Sequence, residues 1–144
     1  MYNDIVMDHF TNPRNVGEIE NADGEGTHGS TVCGDMTSVF IKVADEKISD
    51  VKFKTFGCGA AIATSSMATE LIKDRTIDEV LSLTAKNIVD KLGGLPDAKI
   101  HCSVLAHSAI KSAVYDYAKK TGKEYAGLNG FNPATCGGNC AEAH

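Results

Sequence analysis

The chain has little of what would mark it for a membrane, for export or for nucleic acid. No stretch of the 144 residues approaches the ~18 consecutive apolar residues of a membrane-spanning helix. The start, Met1-Tyr2-Asn3-Asp4, has neither a basic segment nor an apolar one of the kind that opens a secretory leader. Basic residues are in deficit: 14 Lys and Arg against 19 Asp and Glu give a net charge of -5, where a nucleic-acid partner calls for a basic patch. There is no low-complexity block and no internal repeat. These absences leave an ordinary globular chain, expected in the cytoplasm and long enough to bury one core without disulfide staples. In that reducing setting the five cysteines are expected to serve metal or thiol chemistry rather than structural bridges.

The hydrophobic pattern divides the chain into strands first and helices afterwards. A short helix is expected from about residue 2 to residue 10, with Ile5, Val6, His9 and Phe10 on one side and Asn12-Pro13 as its stop. The glycine-rich stretch 15–30 reads as an ordered loop or a weak edge strand. From Thr37 the period becomes two. Thr37, Val39, Ile41 and Val43 share one face, and Ser38, Phe40 and Lys42 share the other. After the polar turn Asp45-Glu46-Lys47, Val51, Phe53 and Thr55 alternate with Lys52, Lys54 and Phe56, which predicts an antiparallel hairpin with one buried face.

Helical spacing follows over about 59–73, 78–83 and 85–92, closed by Gly93-Gly94 and Pro96. A longer helix is expected over about 103–120, with Ala106, Ile110, Ala113, Val114 and Tyr117 as its buried stripe. The fold class is therefore α+β, with helices packed mainly on one face of a small antiparallel sheet. Residues 1–122 form one domain in this reading. Residues 123–144, with Cys136 and Cys140, read as a flexible extension. Lys42, Lys47, Lys52 and Lys54 read as the solvated face of the hairpin, and His9, His28 and His107 as surface or loop residues.

Three cysteines stand at element boundaries. Cys33 lies in Val32-Cys33-Gly34-Asp35, ahead of the first alternating strand. Cys58 lies in Phe56-Gly57-Cys58-Gly59, where strand gives way to helix. Cys102 lies in Ile100-His101-Cys102-Ser103, at the start of the long helix. Two of them thus fall near a helix N-terminus, where unpaired N–H groups and the helix dipole favour a thiolate. With Asp35 and His101 alongside, they suggest one shared metal or cluster site.

These residues carry a resemblance. Asn12-Pro13-Arg14-Asn15-Val16-Gly17, Cys33-Gly34-Asp35, Phe53-Lys54-Thr55-Phe56-Gly57-Cys58-Gly59 and Lys99-Ile100-His101-Cys102-Ser103 occur in the order found in the iron–sulfur cluster assembly scaffolds of the IscU/NifU N-terminal family. The chain resembles that family from near residue 2 to about residue 120. The resemblance implies a three-stranded antiparallel sheet with helices on one face. It also implies a role in binding and transfer rather than catalytic turnover. A pyridoxal-phosphate cysteine desulfurase would deliver sulfur, iron would join, and a transient [2Fe-2S] cluster would pass to apo iron–sulfur proteins. A [4Fe-4S] species built between chains of a homodimer is a further form. The implied ligands are Cys33, Cys58 and Cys102, with Asp35 and His101 as candidates for the fourth, and the same set would accept Zn2+ or Fe2+.

Two features depart from the family. Many scaffolds carry Leu-Pro-Pro-Val-Lys before the third cysteine as a chaperone docking site; here Leu95-Pro96-Asp97-Ala98-Lys99 keeps three of the five positions. The Cys136-x3-Cys140 pair has no counterpart in the short scaffolds. A rival reading is a zinc-bound persulfide acceptor that relays sulfur without building a cluster. That branch carries an insertion between its second and third cysteines, whereas the stretch from Cys58 to Cys102 resembles the short form. A zinc hydrolase or deaminase would want a general-base glutamate in an arrangement such as H-x-E…P-C-x-x-C, which does not occur.

Overall fold

The structure is a computed structural model that describes residues 3–30, 35–57, 59–95, 100–125 and 128, without the side chains of Ser30, Asp35 and His101. The elements run α1 (Asp4–Thr11), β1 (Gly24–Ser30), β2 (Asp35–Ala44), β3 (Lys47–Phe56), α2 (Gly59–Ile72), α3 (Ile77–Ser82), α4 (Ala85–Lys91) and α5 (Ile100–Thr121). The three strands form one antiparallel meander in the order β1-β2-β3. This is the α+β architecture that the strand-then-helix pattern predicts.

Local signals set the boundaries. The Asn3 side chain accepts from the Val6 N–H at 2.9 Å and caps α1. Thr76 with Glu79, and Thr84 with Asn87, form reciprocal capping boxes that start α3 and α4. The β2–β3 turn is made by Asp45 and Glu46, both at positive φ (53° and 63°), the backbone of a two-residue primed hairpin. Neither is the glycine that such a turn favours. The Glu46 carboxylate is fixed from outside: it accepts from Lys123 Nζ at 2.8 Å and Tyr125 Oη at 2.6 Å. Both residues lie beyond 122, so side chains from the start of the proposed extension, with Leu128, reach the folded body.

The period-two faces hold with one exception. Thr37, Val39, Ile41, Val51 and Phe53 are buried against the helices. Phe40, on the opposite face, is buried as well, at 8% exposure. It lies beside residues 18–22, which that sheet face carries: Lys42 Nζ donates to the Asn21 carbonyl at 2.8 Å and Lys54 Nζ to Glu18 at 2.8 Å. Those two lysines therefore hold a loop rather than merely meeting solvent. On α1, Val6 and His9 are buried while Ile5 and Phe10 stay exposed, so the helix turns its expected apolar side partly outward.

The edge strand β1 has almost no apolar side chain to bury. Its pairing with β2, from Gly24↔Ile41 to Ser30↔Asp35, places Gly24, Gly26 and His28 toward α5. The two glycines let the α5 backbone lie directly on the strand. A Cβ at Gly26 would fall inside van der Waals contact of the Ala109 carbonyl oxygen and the Ala113 nitrogen, and 2.6 Å from Ser112 Cβ. Ala106, Ala109, Ile110, Ala113, Val114 and Tyr117 line the buried side of α5 at helical spacing and include every residue of the predicted stripe. Gly26→Ala should lower the unfolding free energy by about 1–3 kcal/mol, since helix backbone rather than a flexible side chain must move. Urea denaturation measures it, and an unchanged midpoint would contradict the close approach.

Candidate functional site

The described flanks of the Cys33 and Cys58 segments lie at the end of the sheet where β2 begins and β3 ends. Cys33 falls in the connection 31–34, outside the described residues, between Ser30 and Asp35, which pair as Cα partners. Asp35 opens β2, and the next residue, Met36, pairs with Phe56 at the end of β3. Cys58 also lies outside the described residues, but Gly57 before it and Gly59 after it are placed. Gly59 opens α2, with the Phe10 ring close over it: a Cβ there would meet ring carbons at 3.2–3.4 Å.

At the start of α2, Ala60 and Ala61 pack with Cys102 in one buried cluster, with Leu95 against it. Cys102 is 1% exposed and lies in the first turn of α5, which starts at Ile100, three residues before the predicted start. His101 stands beside it in the same turn. The described flanks of Cys33, Asp35, Cys58, His101 and Cys102 therefore meet around the start of α2. Among the described residues no group of three or more His, Cys, Asp or Glu could hold a metal. Pro96 to Lys99, most of the departing Leu-Pro segment, lie outside the described residues, as do Cys136 and Cys140.

Helix α2 frames this region and has almost no solvent face. Thr64, Ser65, Ser66 and Thr69 are each 1% exposed or less, so their hydroxyls must find partners inside the protein. Thr64 and Thr69 donate within the helix, Thr69 to the Ser66 carbonyl at 2.7 Å, and all four also approach a neighbouring segment. Thr64 Oγ1 lies 2.8 Å from the Ala60 carbonyl oxygen and 3.3 Å from that of Cys102. Ser65 Oγ lies 3.2 Å from Thr37 Oγ1 on β2. Ser66 Oγ accepts from the Arg14 N–H at 2.9 Å and lies 2.7 Å from His9 Nδ1. Thr69 Oγ1 accepts from Asn15 Nδ2 at 3.1 Å. The Asn12-Pro13-Arg14-Asn15 motif thus fastens to the helix that follows Cys58.

The three histidines read from sequence as surface or loop residues are internal struts instead. His9 and His28 are 7% and 2% exposed, and His107 is half-buried. His28 Nε2 lies 2.6 Å from Ser112 Oγ, joining β1 to α5, and His107 Nε2 donates to the Leu83 carbonyl at 2.8 Å. Burial pushes all three imidazoles below their ordinary value; for His9 the Arg14 charge adds to it, and for His107 the Leu83 carbonyl opposes it. They are missed in sequence because each stands alone, although His9, three residues after Val6, shares the buried side of α1.

Comparison with known proteins gives the family. The model of the NifU-like N terminal domain matches residues 1–124. Iron-sulfur cluster assembly scaffold protein IscU 1 of Archaeoglobus fulgidus is 58% identical over 123 residues, covering 85% of this chain and 80% of that protein. Iron-sulfur cluster assembly scaffold protein IscU of Azotobacter vinelandii is 50% identical over 125 residues, covering 84% of this chain and 97% of that protein. Among solved structures, the N-terminal part of a NifU-like protein from Brucella abortus superposes with a TM-score of 0.64 at 18% identity, covering 82% of this chain and 94% of that one. It shares the fold. The chain belongs to the NifU-like N-terminal domain family.

The buried histidines have a consequence in solution. They stay neutral in the folded protein below 6.5, the ordinary value at which they take up protons when unfolded. Below that value the unfolded state binds more protons, so stability falls as pH falls. Asp8, Glu46 and Glu79, held low mainly by hydrogen bonds from Arg14, Lys123 and Thr76 respectively, add their loss only in the carboxylate range, about pH 4 and below. The urea midpoint should therefore drop between pH 7.5 and 5.5. A midpoint that rises over that interval would contradict the neutral, buried imidazoles.

Proposed function

We propose that this chain is a scaffold on which [2Fe-2S] clusters are assembled from iron and desulfurase-delivered sulfur, then passed to apo-proteins. The observation that carries the reading is the meeting, at one end of the sheet, of the flanks of three separated cysteine segments. It is supported by membership of a family whose relatives, at 50–58% identity, are named iron-sulfur cluster assembly scaffolds. The cluster is cargo, and the protein's part is to hold it and let it go. Cys33, Cys58 and Cys102 supply thiolates, which hold iron–sulfur clusters well. Asp35 and His101 offer the fourth bond through a hard oxygen or a borderline nitrogen, a weaker match than a fourth sulfur. Release through that bond is the reason for an incomplete thiolate set.

The same reading assigns the scaffold to residues 1–122, with 123–144 as an extension, and it makes the protein a carrier rather than an enzyme. Its partners are a pyridoxal-phosphate cysteine desulfurase and apo iron–sulfur proteins. No helix among the described residues is long and apolar enough to cross a membrane, and the proposed location is the cytoplasm. The exposed apolar side chains Phe10 and Phe56 flank the Cys58 segment and suit transient docking.

Anaerobic reconstitution with iron, cysteine and a cysteine desulfurase, followed by visible absorption and Mössbauer spectroscopy, tests the assignment. The parent should give a cluster spectrum that is lost in Cys33→Ser, Cys58→Ser and Cys102→Ser. Persulfide on a cysteine with zinc retained and no cluster would make the protein a sulfur relay instead. Asp35→Cys replaces the oxygen of the fourth bond with sulfur and should slow cluster release several-fold, as read by transfer to apo-ferredoxin; release at the parental rate would remove Asp35 from that role.

A further inference from the structure

Three hydroxyls lie in a line beneath the site with their hydrogen bonds running one way. Thr55 Oγ1 donates to the Met36 carbonyl at 2.7 Å, which uses its single hydrogen. At 2.9 Å from Thr37 Oγ1 it can then only accept, so Thr37 donates to Thr55. Thr37 has spent its hydrogen in turn, and at 3.2 Å it accepts from Ser65 Oγ. The sequence of bonds is Ser65 to Thr37 to Thr55 to the Met36 carbonyl, from α2 across β2 to β3 and back to the β2 backbone.

The place of this line matters more than its bonds. Met36 follows Asp35. Thr55 stands three residues before Cys58, and Thr37 is its cross-strand partner. Ser65 is in the second turn of α2, the helix that follows Cys58. Thr37 and Ser65 are each 1% exposed, on a face otherwise filled by Val39, Ile41, Val51 and Phe53, where an apolar side chain would pack without needing a partner. Beside Ser65, Thr64 Oγ1 donates within α2 to the Ala60 carbonyl at 2.8 Å and lies 3.3 Å from that of Cys102.

We propose that Ser65, Thr37 and Thr55 are positioning residues, a buried hydroxyl line that holds the Asp35 and Cys58 segments in fixed register and so sets how firmly the scaffold grips its cluster. The proposal rests on the scaffold reading above for its functional half. Its mechanical half concerns the metal-free protein alone.

Thr37→Val keeps the shape and removes the middle hydroxyl, leaving Ser65 without its acceptor and Thr55 without its donor. Thr37→Ser restores the hydroxyl. Thr69→Val is the control, the same change at a fully buried threonine of α2 about 15 Å along the helix from Gly59, its hydroxyl donating within the helix to the Ser66 carbonyl. Amide hydrogen exchange of residues 35–37 and 55–59 is measured on each metal-free full-length chain, and cluster release to apo-ferredoxin on each reconstituted one. Thr37→Val should exchange about tenfold faster in both segments and release its cluster about tenfold faster, the scale of one buried hydrogen bond left unmade. Thr37→Ser should return to parental values, and Thr69→Val should lose thermal stability without either change. Parental exchange and release in Thr37→Val, or the same acceleration in Thr69→Val, overturns the proposal. A parent that takes up no cluster sinks the scaffold reading alone, and the exchange measurement still decides whether the hydroxyl line holds the two segments.

Discussion

Everything near the candidate site depends on enclosing a helix that carries hydroxyls where a core helix would carry hydrocarbon. Helix α2 is covered by α1, α5 and the sheet, yet Thr64, Ser65, Ser66 and Thr69 lie within its buried surface. A buried hydroxyl without a partner costs about 1–3 kcal/mol on mutational scales, so the neighbouring segments cannot take arbitrary positions. Thr64 and Thr69 donate within the helix, to the Ala60 and Ser66 carbonyls, while Ser65 and Ser66 turn to other segments and tie α2 to β2, to α1 and to the N-terminal loop. Small residues at the head of the helix, Ala60, Ala61 and Ala63, let those neighbours come close enough to bond.

The same economy governs the sheet. β1 contributes Gly24, Gly26 and His28 to the interface with α5, two absent side chains and one hydrogen-bonded imidazole. The apolar matter that fills the gap comes from α5, whose Ala109 and Ala113 carry little volume themselves. The contact is backbone on backbone. It leaves no room for a methyl group and holds α5 so that its first turn, with His101 and Cys102, lies beside the start of α2.

What could be read from the sequence divides along this line. The β2–β3 hairpin and the stripe of α5 were legible because apolar residues recur at the period of each element. The motif cysteines could be placed at element boundaries for the same reason. β1 was ambiguous because its inward face is mostly glycine, which leaves no alternation to detect. The capping threonines Thr76 and Thr84 are local signals, but the partners of Thr37, His9 and His28 lie 18 to 84 residues away, where periodicity says nothing. A polar residue with a distant partner looks, in sequence, like one that faces water. That is why His9, His28 and the half-buried His107 read as surface or loop residues, and why Ser65 and Thr37 gave no sign of lying under the candidate site.

A fold held by distant hydroxyl contacts around the proposed three-thiol site suits a protein that binds firmly and yields. The central claim is that cargo assembled here can leave intact. The most direct measurement loads the chain with an 57Fe-labelled cluster and mixes it with apo-ferredoxin in the presence of excess ferrous chelator. Ferredoxin should acquire the labelled cluster while the chelator stays colourless, because transfer between the proteins outruns breakdown. Iron trapped by the chelator, with ferredoxin left empty, would mean that the chain binds iron and sulfur without serving as a scaffold for them.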